Sequence, residues 1–500
     1  MELHSLSKVF VRSVSDNVAR RRVSVIGSGP SGFYTAYHLL SKSTVPLHVT
    51  IWEKLLVPFG LSRYGVAPDH PEVKNCEDTF SKCANTFSGS DHKHKFEFVG
   101  GVEIGKQIKL SELLAQEDAV ILSYGCSGDR KLGIDGESTA KGVFSSRTFV
   151  NWYNGHPYFA HDPYLTEFDW TKVRNVGIIG NGNVALDLTR LLVSNKIGSI
   201  WNPTDISLIA LNCLRSAPIK NVKIIARRDF VHSKFTNKEL RELWELERYG
   251  IRGKIDPEFF NETMCDTSKI NDRVFKRRVE MCAEYLKPFD KRTKKNYKKY
   301  VPPAIDESEV ITWELDYLKS PLKVNVDEHG KIESLNLCKN KTTKDSKLVK
   351  TQDEVTYEMD LLITSLGYEG KPLEEFKDLG IKFDGDHMAN INGRVQDIHG
   401  VIFPKLYASG WIRRGSQGVI ASTMQGAFDV ADIVMQDISH ETKTTETTRE
   451  IDLSGIKHTT WSDWQKINKS ELEAGVRQSK TRVKYLDDAE ILQFLASNKS

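Results

Sequence analysis

The chain has 500 residues, of which 39% are hydrophobic and 27% are charged, with a formal net charge of +3. The length predicts two or three domains with cores of their own, and the near-neutral charge gives no ground for nucleic-acid binding. The chain has no apolar run of about eighteen residues, which argues against a transmembrane helix. The seven cysteines are dispersed without a CxxC pair, so we expect reduced thiols rather than a disulfide framework.

The N-terminal segment is basic and amphipathic. Apolar residues recur at helical spacing from Leu3 to Val18, and positive charge comes from Lys8, Arg12 and the arginines at 20–22. A segment of this kind is typical of a mitochondrial transit peptide, and we assign residues 1–21 to such a leader. The alternative is a frayed tail before the first strand.

The first glycine-rich turn follows a short β-branched run at residues 22–26. The turn reads GSGPSG (residues 27–32), and helical spacing begins directly after it. Strand, glycine turn and helix in this order predict a dinucleotide site, because the turn lets the backbone approach a pyrophosphate at the helix N-terminus. The next strand, residues 48–52, precedes Glu53. A carboxylate there accepts ribose hydroxyls and repels a 2′-phosphate, so this site suits FAD or NAD.

A second turn of the same kind, GNGNVA (residues 180–185), follows a predicted strand at residues 173–179. Alanine at the third glycine position is compatible with the motif. The next predicted strand, residues 222–226, is followed by Arg227 and Arg228 instead of an acid. Two guanidinium groups hold a 2′-phosphate by charge-assisted hydrogen bonds, which favours NADP. The alternative is that the arginines simply cap a strand end at the surface.

Longer segments resemble a known family. They are VPFGLSRYGVAPDHPEVKN (residues 57–75), GSGPSGFYTAYHLL, VILSYG, FVNWYNG, GNGNVALD, FTNKELRE, GWIRRG and WSDW. On these motifs the chain resembles the mitochondrial adrenodoxin reductase family, the FAD-containing NADPH–ferredoxin reductases. The resemblance runs from about residue 22 to about residue 493, and it is loose at residues 249–300 and 339–351.

The resemblance, together with the motifs, implies two sets of cofactor-binding residues. For FAD these are Gly27, Gly29, Ser31, Gly32, Glu53, Leu61, Val102, Trp411, Gly418, Val419 and Ile420. For NADPH they are Gly180, Asn181, Gly182, Asn183, Val184, Arg227, Arg228 and Glu239, with Gly418 near the nicotinamide. The family can carry glutamine at the position of Asn181, and we expect little change because both side chains are neutral amides.

The resemblance also implies the reaction. A hydride passes from NADPH to FAD, and single electrons then pass to a [2Fe-2S] ferredoxin, in support of mitochondrial Fe–S cluster assembly and haem or sterol metabolism. The spacing of Cys76 and Cys83 does not suit a thiol relay. Two alternatives remain open: an NADPH–flavin oxidoreductase that reduces a small molecule or quinone, and a flavin-bound redox sensor without turnover.

His70 and Asp187 are the candidate catalytic residues. Reduction and reoxidation of a flavin require a route for protons, and histidine titrates in the physiological range. We interpret the two residues as a coupled pair near the flavin. The alternative is a structural histidine that orders a proline-containing loop.

The expected partner is an acidic, adrenodoxin-like [2Fe-2S] ferredoxin. A basic cluster would steer such a partner, and its residues are Arg273, Lys276, Arg277 and Arg278. A solvated helix is the alternative, and a lysine-rich surface insertion is the favoured interpretation of residues 291–299. We expect no metal or nucleic acid, at most peripheral membrane association, and a monomer on the matrix side of the mitochondrion.

The predicted fold is α/β, with two Rossmann-like dinucleotide-binding domains. The FAD domain is discontinuous, at residues 22–126 and 365–500. The NADP domain is inserted between its two parts, at residues 127–364. Apolar strands at residues 119–122 and 361–363 precede the two passages between the domains.

Overall fold

The computed structural model describes residues 20–89, 92–261, 270–343, 345, 347–418, 420–440 and 451–498. Residues 1–19 of the predicted leader and Val419 lie outside this part of the chain. The described residues form two compact units. Unit 1 comprises the described residues within Met1–Phe59, Cys76–Gly125 and Pro372–Ser462. Unit 2 comprises those within Gly60–Asn75, Cys126–Lys371 and Asp463–Ser500.

Helices and strands alternate through most of the chain. The helices are α1 Pro30–Lys42, α2 Gly60–Tyr64, α3 Cys76–Phe87, α4 Leu110–Gln116, α5 Ser146–Tyr153, α6 Pro163–Thr166, α7 Asn183–Val193, α8 Gly198–Trp201, α9 Leu208–Ser216, α10 Asn237–Trp244, α11 Arg273–Tyr285, α12 Trp411–Arg414, α13 Ile420–His440, α14 Trp461–Arg477 and α15 Asp488–Ser497. The strands are β1 Arg21–Ile26, β2 Leu47–Glu53, β3 Lys95–Gly100, β4 Ala119–Leu122, β5 Gly128–Asp129, β6 Val143–Ser145, β7 Asn175–Ile179, β8 Asn221–Ile225, β9 Ile251–Ile255, β10 Ile311–Asp316, β11 Lys319–Val326, β12 Ile332–Thr342, β13 Leu348–Glu358, β14 Leu361–Thr364, β15 Tyr368–Glu369, β16 Phe383–Asp384, β17 His387–Met388, β18 Asn390–Ile391, β19 Arg394–Gln396 and β20 Ile402–Ala408.

Unit 1 is built on a seven-stranded sheet in the order β18-β19-β20-β4-β1-β2-β3. The five strands from β20 to β3 run parallel, and β18 and β19 are antiparallel to their neighbours. All four residues of β4 are buried, as is usual for a parallel strand covered on both faces. The register sets Ile26 opposite Trp52, so the first glycine turn and Glu53 emerge at the same edge of the sheet.

Unit 2 contains a six-stranded parallel sheet in the order β6-β14-β7-β8-β10-β9 and an antiparallel sheet β11-β12-β13. Its main core includes the fully buried side chains of Trp152, Trp201 and Trp313. The register sets Ile179 opposite Ile225. The second glycine turn therefore leaves the sheet beside the chain that continues to Arg227.

The predicted strands differ from the observed ones by one or two residues at their ends. The strand predicted at residues 173–179 begins only at Asn175. Residues 170–172 form a 3₁₀ turn, and the N–H of Val173 donates back to the carbonyl of Trp170 at 3.1 Å, so Val173 is not available to the strand. Strand β1 begins at Arg21, inside the span predicted for the leader. Arg21 also forms an ion pair with Asp118 at 2.8 Å, so Arg21 belongs to the folded domain and not to the leader.

The compact units differ from the predicted domain ranges at Cys126, which lies in unit 2, and at three longer segments. Residues 60–75, 365–371 and 463–498 belong to unit 2, whereas the prediction assigns them to the FAD domain. Buried ion pairs hold the first and the last of these segments to unit 2. The assignment of a cofactor to each unit stays a prediction.

Candidate active site

The first glycine turn is shaped by close backbone contacts. Gly27 has φ +104°, a conformation that favours glycine, and a Cβ at Gly32 would stand 2.0 Å from the carbonyl oxygen of Gly27. These two glycines let α1 pack directly on the turn. Gly29, by contrast, is the N-cap of α1, and a Cβ there would meet no heavy atom within 4 Å.

Glu53 is fixed in place beside this turn. One carboxylate oxygen accepts hydrogen bonds from the N–H and Oγ of Ser28 at 3.0 and 2.7 Å, and the other accepts from the N–H of Leu55 at 3.0 Å. The Glu53 carbonyl accepts from the N–H of Val102 at 2.9 Å. The fold thus brings two predicted FAD residues, Glu53 and Val102, to one place. These hydrogen bonds fix the orientation of the Glu53 side chain.

The C-terminal segment of unit 1 also reaches the first turn. Ser31 Oγ lies 2.8 Å from Ser409 Oγ, across 378 residues of sequence. Gly410 has φ +72°, and a Cβ there would stand 2.5 Å from Ser31 Oγ. Trp411 begins α12 directly afterwards, and Ile420 begins α13. Gly418, with φ +86°, is exposed, whereas Leu61 is part of unit 2.

The second turn repeats the geometry in unit 2. Gly180 has φ +139°, and a Cβ there would lie 2.1 Å from the carbonyl oxygen of Ser365. Gly182 is the N-cap of α7, with no heavy atom within 4 Å of a Cβ. Asn181 and Asn183 hold the neighbouring loop: Asn181 Nδ2 donates to Ser233 Oγ at 2.9 Å, and Asn183 Oδ1 accepts from the N–H of Thr236 at 2.8 Å. Val184 follows in the first turn of α7.

Arg227 and Arg228 follow β8 at the same edge of the sheet as the second turn. Both side chains are exposed. Their backbone is held by unit 2, since the Arg227 carbonyl accepts from Asn340 Nδ2 at 2.9 Å. Two exposed guanidinium groups on an anchored backbone can hold a phosphate.

The residues present fit two dinucleotides. At Gly29 and Gly182 there is open space just where each helix presents its N-terminus, and that end of a helix favours a pyrophosphate. A side chain at either position would fill this space. The two turns differ in what lies beyond them: an oriented carboxylate at the first and two exposed arginines at the second.

A buried histidine cluster occupies another part of unit 2. His70 Nε2 lies 2.7 Å from Glu242 Oε2, and His70 Nδ1 lies 3.7 Å from Glu239 Oε2. Possible ligand atoms of His70, Asp187 and Glu239 all lie within 4.8 Å of one another. The structure therefore brings the predicted pair His70 and Asp187 together, within a larger group. We call His70, Asp69, Asp187, Arg190, Glu239 and Glu242 the histidine cluster.

Arg190 provides the positive charge in the histidine cluster. Its guanidinium donates to both oxygens of Asp69 at 2.6 and 3.0 Å and lies 2.9 Å from Asp187 Oδ1. Although burial opposes the charged form, the carboxylates of Asp187 and Asp69 raise the pKa of Arg190 above its ordinary value. A permanent cation among four acids reduces the attraction of this group for a metal ion.

The surroundings of the cluster shift the pKa of His70, Glu239 and Asp187. Burial by itself lowers the pKa of His70, but the hydrogen bond to Glu242 and the charges of Asp69 and Asp187 together outweigh it, so the pKa is raised from its ordinary value. Burial, with the charge of Asp187 added, raises the pKa of Glu239 to about 7. Burial likewise raises the pKa of Asp187, against the opposing charge of Arg190.

Sequence reasoning did not identify Arg190, Glu242 or Asp69 as members of this group. Arg190 follows Asp187 by three residues on α7, and Glu242 follows Glu239 by three residues on α10. That spacing puts each pair on one helix face, which is a usable but weak signal. Glu239 was predicted at the adenosine end of NADPH. The structure places its carboxylate beside His70, and the adenosine contact stays a prediction.

The predicted docking residues lie on α11, and one of them is misassigned. Arg278 is 7% exposed, and its guanidinium donates to the carbonyls of Ser233 and Phe235 at 2.9 and 2.7 Å. The prediction that Arg278 lies on the partner surface is therefore wrong. Its side chain instead links α11 to the loop before α10 in the interior of unit 2. Arg273 and Arg277 are exposed and Lys276 is half-buried. The predicted ferredoxin-docking surface is therefore reduced to these three residues.

The cysteines of the described residues form no disulfide. Cys83 is buried on α3, and burial raises the pKa of its thiol to about 12. A thiol with so high a pKa is a poor nucleophile at neutral pH. Over the same part of the chain, no helix is both long enough and apolar enough to cross a membrane.

Comparisons with known proteins agree with this architecture. A family profile described as an NAD(P)-binding Rossmann-like domain matches residues 25–101, which contain the first turn and Glu53. The fold is similar to that of FprA from Mycobacterium tuberculosis, solved in complex with NADPH. The TM-score is 0.79 at 29% identity, with 95% of this chain and 99% of that chain covered.

Full-length relatives are also similar. The chain is 64% identical over 490 residues to the probable mitochondrial NADPH:adrenodoxin oxidoreductase of Saccharomyces cerevisiae, covering 97% of this chain and 99% of that protein. It is 36% identical over 492 residues to the mitochondrial NADPH:adrenodoxin oxidoreductase of Bos taurus, covering 95% and 92%. Fold and site together define a two-domain, Rossmann-type oxidoreductase. More particularly, the chain belongs to the mitochondrial NADPH:adrenodoxin oxidoreductase family, as its motifs predicted.

Proposed function

We propose that this protein is an NADPH–ferredoxin reductase that binds FAD at the first glycine turn and NADPH at the second. The observation that carries the proposal is the contrast beyond the two turns. Glu53 is oriented by Ser28 and Leu55 and suits the ribose of FAD, whereas the exposed Arg227 and Arg228 suit the 2′-phosphate of NADPH.

The proposed sites follow the residue sets that the family resemblance implies. For FAD these are the turn from Gly27 to Gly32 with Glu53 and Val102, and then Trp411, Gly418, Val419 and Ile420 near the C-terminal end of the chain. The family resemblance also implies Leu61 as an FAD-binding residue. For NADPH, Gly180 to Val184 bind the pyrophosphate. When bound, the flavin accepts a hydride from NADPH and releases its two electrons one at a time.

The histidine cluster is the proposed proton route. His70 Nε2 lies within hydrogen-bond distance of Glu242 Oε2 at 2.7 Å. Glu239, with its pKa raised to about 7, can take up or release a proton near Nδ1. Groups whose pKa lies near the working pH are the most effective in proton transfer. His70 and Asp187 thus keep the role predicted for them, with Glu239 and Glu242 added.

The proposed electron acceptor is an acidic [2Fe-2S] ferredoxin of the adrenodoxin type. Relatives are named for adrenodoxin, and α11 presents Arg273, Lys276 and Arg277 as a positive face. A positive face attracts an acidic partner over several ångströms and loses that attraction in salt. We propose that the enzyme acts as a monomer.

The cellular setting is also a proposal. Relatives are named mitochondrial, and we place this enzyme in the matrix or on the matrix face of the inner membrane, with at most peripheral membrane association. Its electrons would serve Fe–S cluster assembly and haem or sterol metabolism.

One experiment tests the function directly. Purified holoenzyme is supplied with NADPH, and cytochrome c reduction is measured with and without an added [2Fe-2S] ferredoxin. We expect rapid flavin bleaching by NADPH and cytochrome c reduction that depends strongly on the ferredoxin. Turnover that is independent of the ferredoxin would favour reduction of a small molecule or quinone. No bleaching by NADPH would favour a redox sensor.

A further inference from the structure

The loop that carries His70 is clamped by the C-terminal segment of the chain. Residues 60–75 are followed in sequence by α3 of unit 1 but belong to unit 2. Two cations of this loop, Arg63 and Lys74, stand on either side of His70 in the sequence. Both are paired with acids that also hold a cation of the C-terminal segment.

The first acid is Glu471, on α14, which is 1% exposed. One carboxylate oxygen accepts from Arg63 Nη2 at 2.5 Å and from the N–H of Tyr485 at 3.1 Å. The other oxygen accepts from Arg482 Nη1 at 2.7 Å. The guanidinium of Arg63 also lies over the ring of Trp464, 5.2 Å from its centroid. A single buried carboxylate therefore ties the loop, the helix and the C-terminal segment together.

The second acid, Asp205, repeats the arrangement. Its carboxylate accepts from Lys74 Nζ at 2.9 and 2.7 Å and lies 2.8 Å from Lys484 Nζ. Lys484 also donates to the carbonyl of Asn154 at 2.9 Å, and its side chain is 2% exposed. We call Arg63, Lys74, Asp205, Glu471, Arg482 and Lys484 the tail clamp. Each acid joins one cation of the loop to one cation of the segment at residues 478–486.

From this geometry we infer that Arg482 and Lys484 are positioning residues, which hold the loop of residues 60–75 so that His70 stays in the histidine cluster. Buried ion pairs contribute little net stability compared with apolar packing, but breaking one leaves an uncompensated buried charge. Four basic groups surround the two acids, and burial lowers the pKa of Lys484 to about 7. Removing a cation from the C-terminal segment weakens the link to the loop without stranding an acid, because each acid keeps its loop cation.

The inference rests on the proposed function only for its link to proton transfer, and the clamp itself can be tested without turnover. Hydrogen exchange of residues 60–75 is measured by mass spectrometry on full-length holoenzyme. The test variants are Arg482→Gln and Lys484→Met, and the matched control is Arg477→Gln, an exposed arginine on α14. Both test variants should speed exchange in this loop by about tenfold or more, and the control should not.

The pH profile of flavin reduction provides the functional readout. His70 faces Glu239 and Glu242 from α10, Asp187 and Arg190 from α7, and Asp69 from its own loop. A loosened loop moves His70 away from Glu242, whose hydrogen bond raises the pKa of His70. The part of the pH–rate profile that His70 governs should therefore shift toward lower pH in Arg482→Gln and Lys484→Met. Arg482→Lys keeps a cation beside Glu471 and should restore the profile.

The outcomes separate the clamp from the function. Unchanged loop exchange in both test variants would overturn the clamp. Faster exchange with an unmoved pH profile would overturn the positioning of His70. Faster exchange, a shifted profile and rescue by Arg482→Lys would support the whole inference. If the wild-type holoenzyme failed to reduce ferredoxin, the proposed function would fail, and the exchange result would still decide whether the clamp exists.

Discussion

At the scale of single residues, charge assigns the two cofactor sites. Glu53 is held by hydrogen bonds from Ser28 and Leu55, so its carboxylate is oriented in advance and repels a 2′-phosphate. Arg227 and Arg228 are exposed on an anchored backbone. On the proposed assignment, the same structural motif binds two different nucleotides because of side chains that lie at the end of the neighbouring strand.

Replacing both arginines should destroy the preference for NADPH. A hydrogen bond to a charged group contributes about 1.5–3 kcal/mol, so Arg227→Gln with Arg228→Gln should raise KM for NADPH by about 100-fold and leave KM for NADH nearly unchanged. Steady-state kinetics with both nucleotides measures this. Arg174→Gln, an exposed arginine before β7, is the control. An equal rise in KM for NADH would contradict the assignment.

His70→Gln tests the proton route. The variant should slow flavin reduction by about 100-fold and remove the limb of the pH profile that His70 governs. Rapid mixing from about pH 6 to pH 9 covers the range in which a histidine titrates. His399→Gln, at an exposed site of unit 1, is the control. Unchanged reduction and reoxidation over this range would rule out the proton route.

The same histidine links stability to pH. Because its pKa in the folded protein is raised above the unfolded value, the stabilisation is complete below about pH 6.5 and is lost as the pH rises through the folded pKa. Urea unfolding of wild type and His70→Gln should therefore differ more at low pH than at high pH. A difference that does not change with pH would contradict the raised pKa.

At the scale of elements, each glycine turn combines two functions. Gly180 allows close packing against Ser365, whereas Gly182 leaves open space at the N-terminus of α7. The first turn divides the work in the same way between Gly32 and Gly29. In each pair, one glycine permits close packing of the backbone, and the other leaves room for the nucleotide that we propose to bind there.

Substituting the two glycines of the second turn should separate these functions. Gly182→Ala places a methyl group in the open space, so KM for NADPH should rise by about tenfold, the effect of a small steric conflict, with an unchanged melting temperature. Gly180→Ala should lower the melting temperature, because its φ of +139° and the 2.1 Å approach to Ser365 exclude a Cβ. Thermal melting and nucleotide titration measure both. A stable Gly180→Ala protein would show the geometry to be wrong.

Helix α11 has an outer face for the partner and an inner face for the fold. Reversing the outer charges with Arg273→Glu, Lys276→Glu and Arg277→Glu should raise KM for ferredoxin by about tenfold and weaken its salt dependence. The matched control reverses three exposed lysines, Lys295→Glu, Lys298→Glu and Lys299→Glu. An effect confined to the control set would move the docking site to that lysine-rich segment.

At the scale of the whole molecule, the described chain starts at Arg20 and β1 at Arg21. The predicted leader, residues 1–21, therefore overlaps β1 at Arg21. Fused to a fluorescent reporter, residues 1–21 should direct it to mitochondria, because a basic amphipathic segment is recognised for import. Lys8→Glu with Arg12→Glu should abolish that. A reporter that stays in the cytosol with the unaltered segment would contradict the prediction.

The two compact units do not follow the chain order that motifs suggest. Residues 60–75 lie between a strand and a helix of unit 1 but pack in unit 2, and so does the chain from Asp463 onward. Motif spacing could not show this, since the contacts join Arg63 to Glu471 across 408 residues. The buried position of Arg278 was hidden for the same reason: its acceptors are backbone carbonyls more than forty residues away.

The sequence by itself determined the fold class, the two dinucleotide turns and the nucleotide expected at each. These features are local: a strand, a turn, a helix and the end of the next strand lie close together in the first unit, and their residue types follow from backbone sterics and charge. Only the tertiary structure decided which side chains surround His70, which face of α11 is free, and how the C-terminal segment holds the loop of residues 60–75. Those contacts join distant parts of the chain, and their geometry exists only once the core of unit 2 has formed.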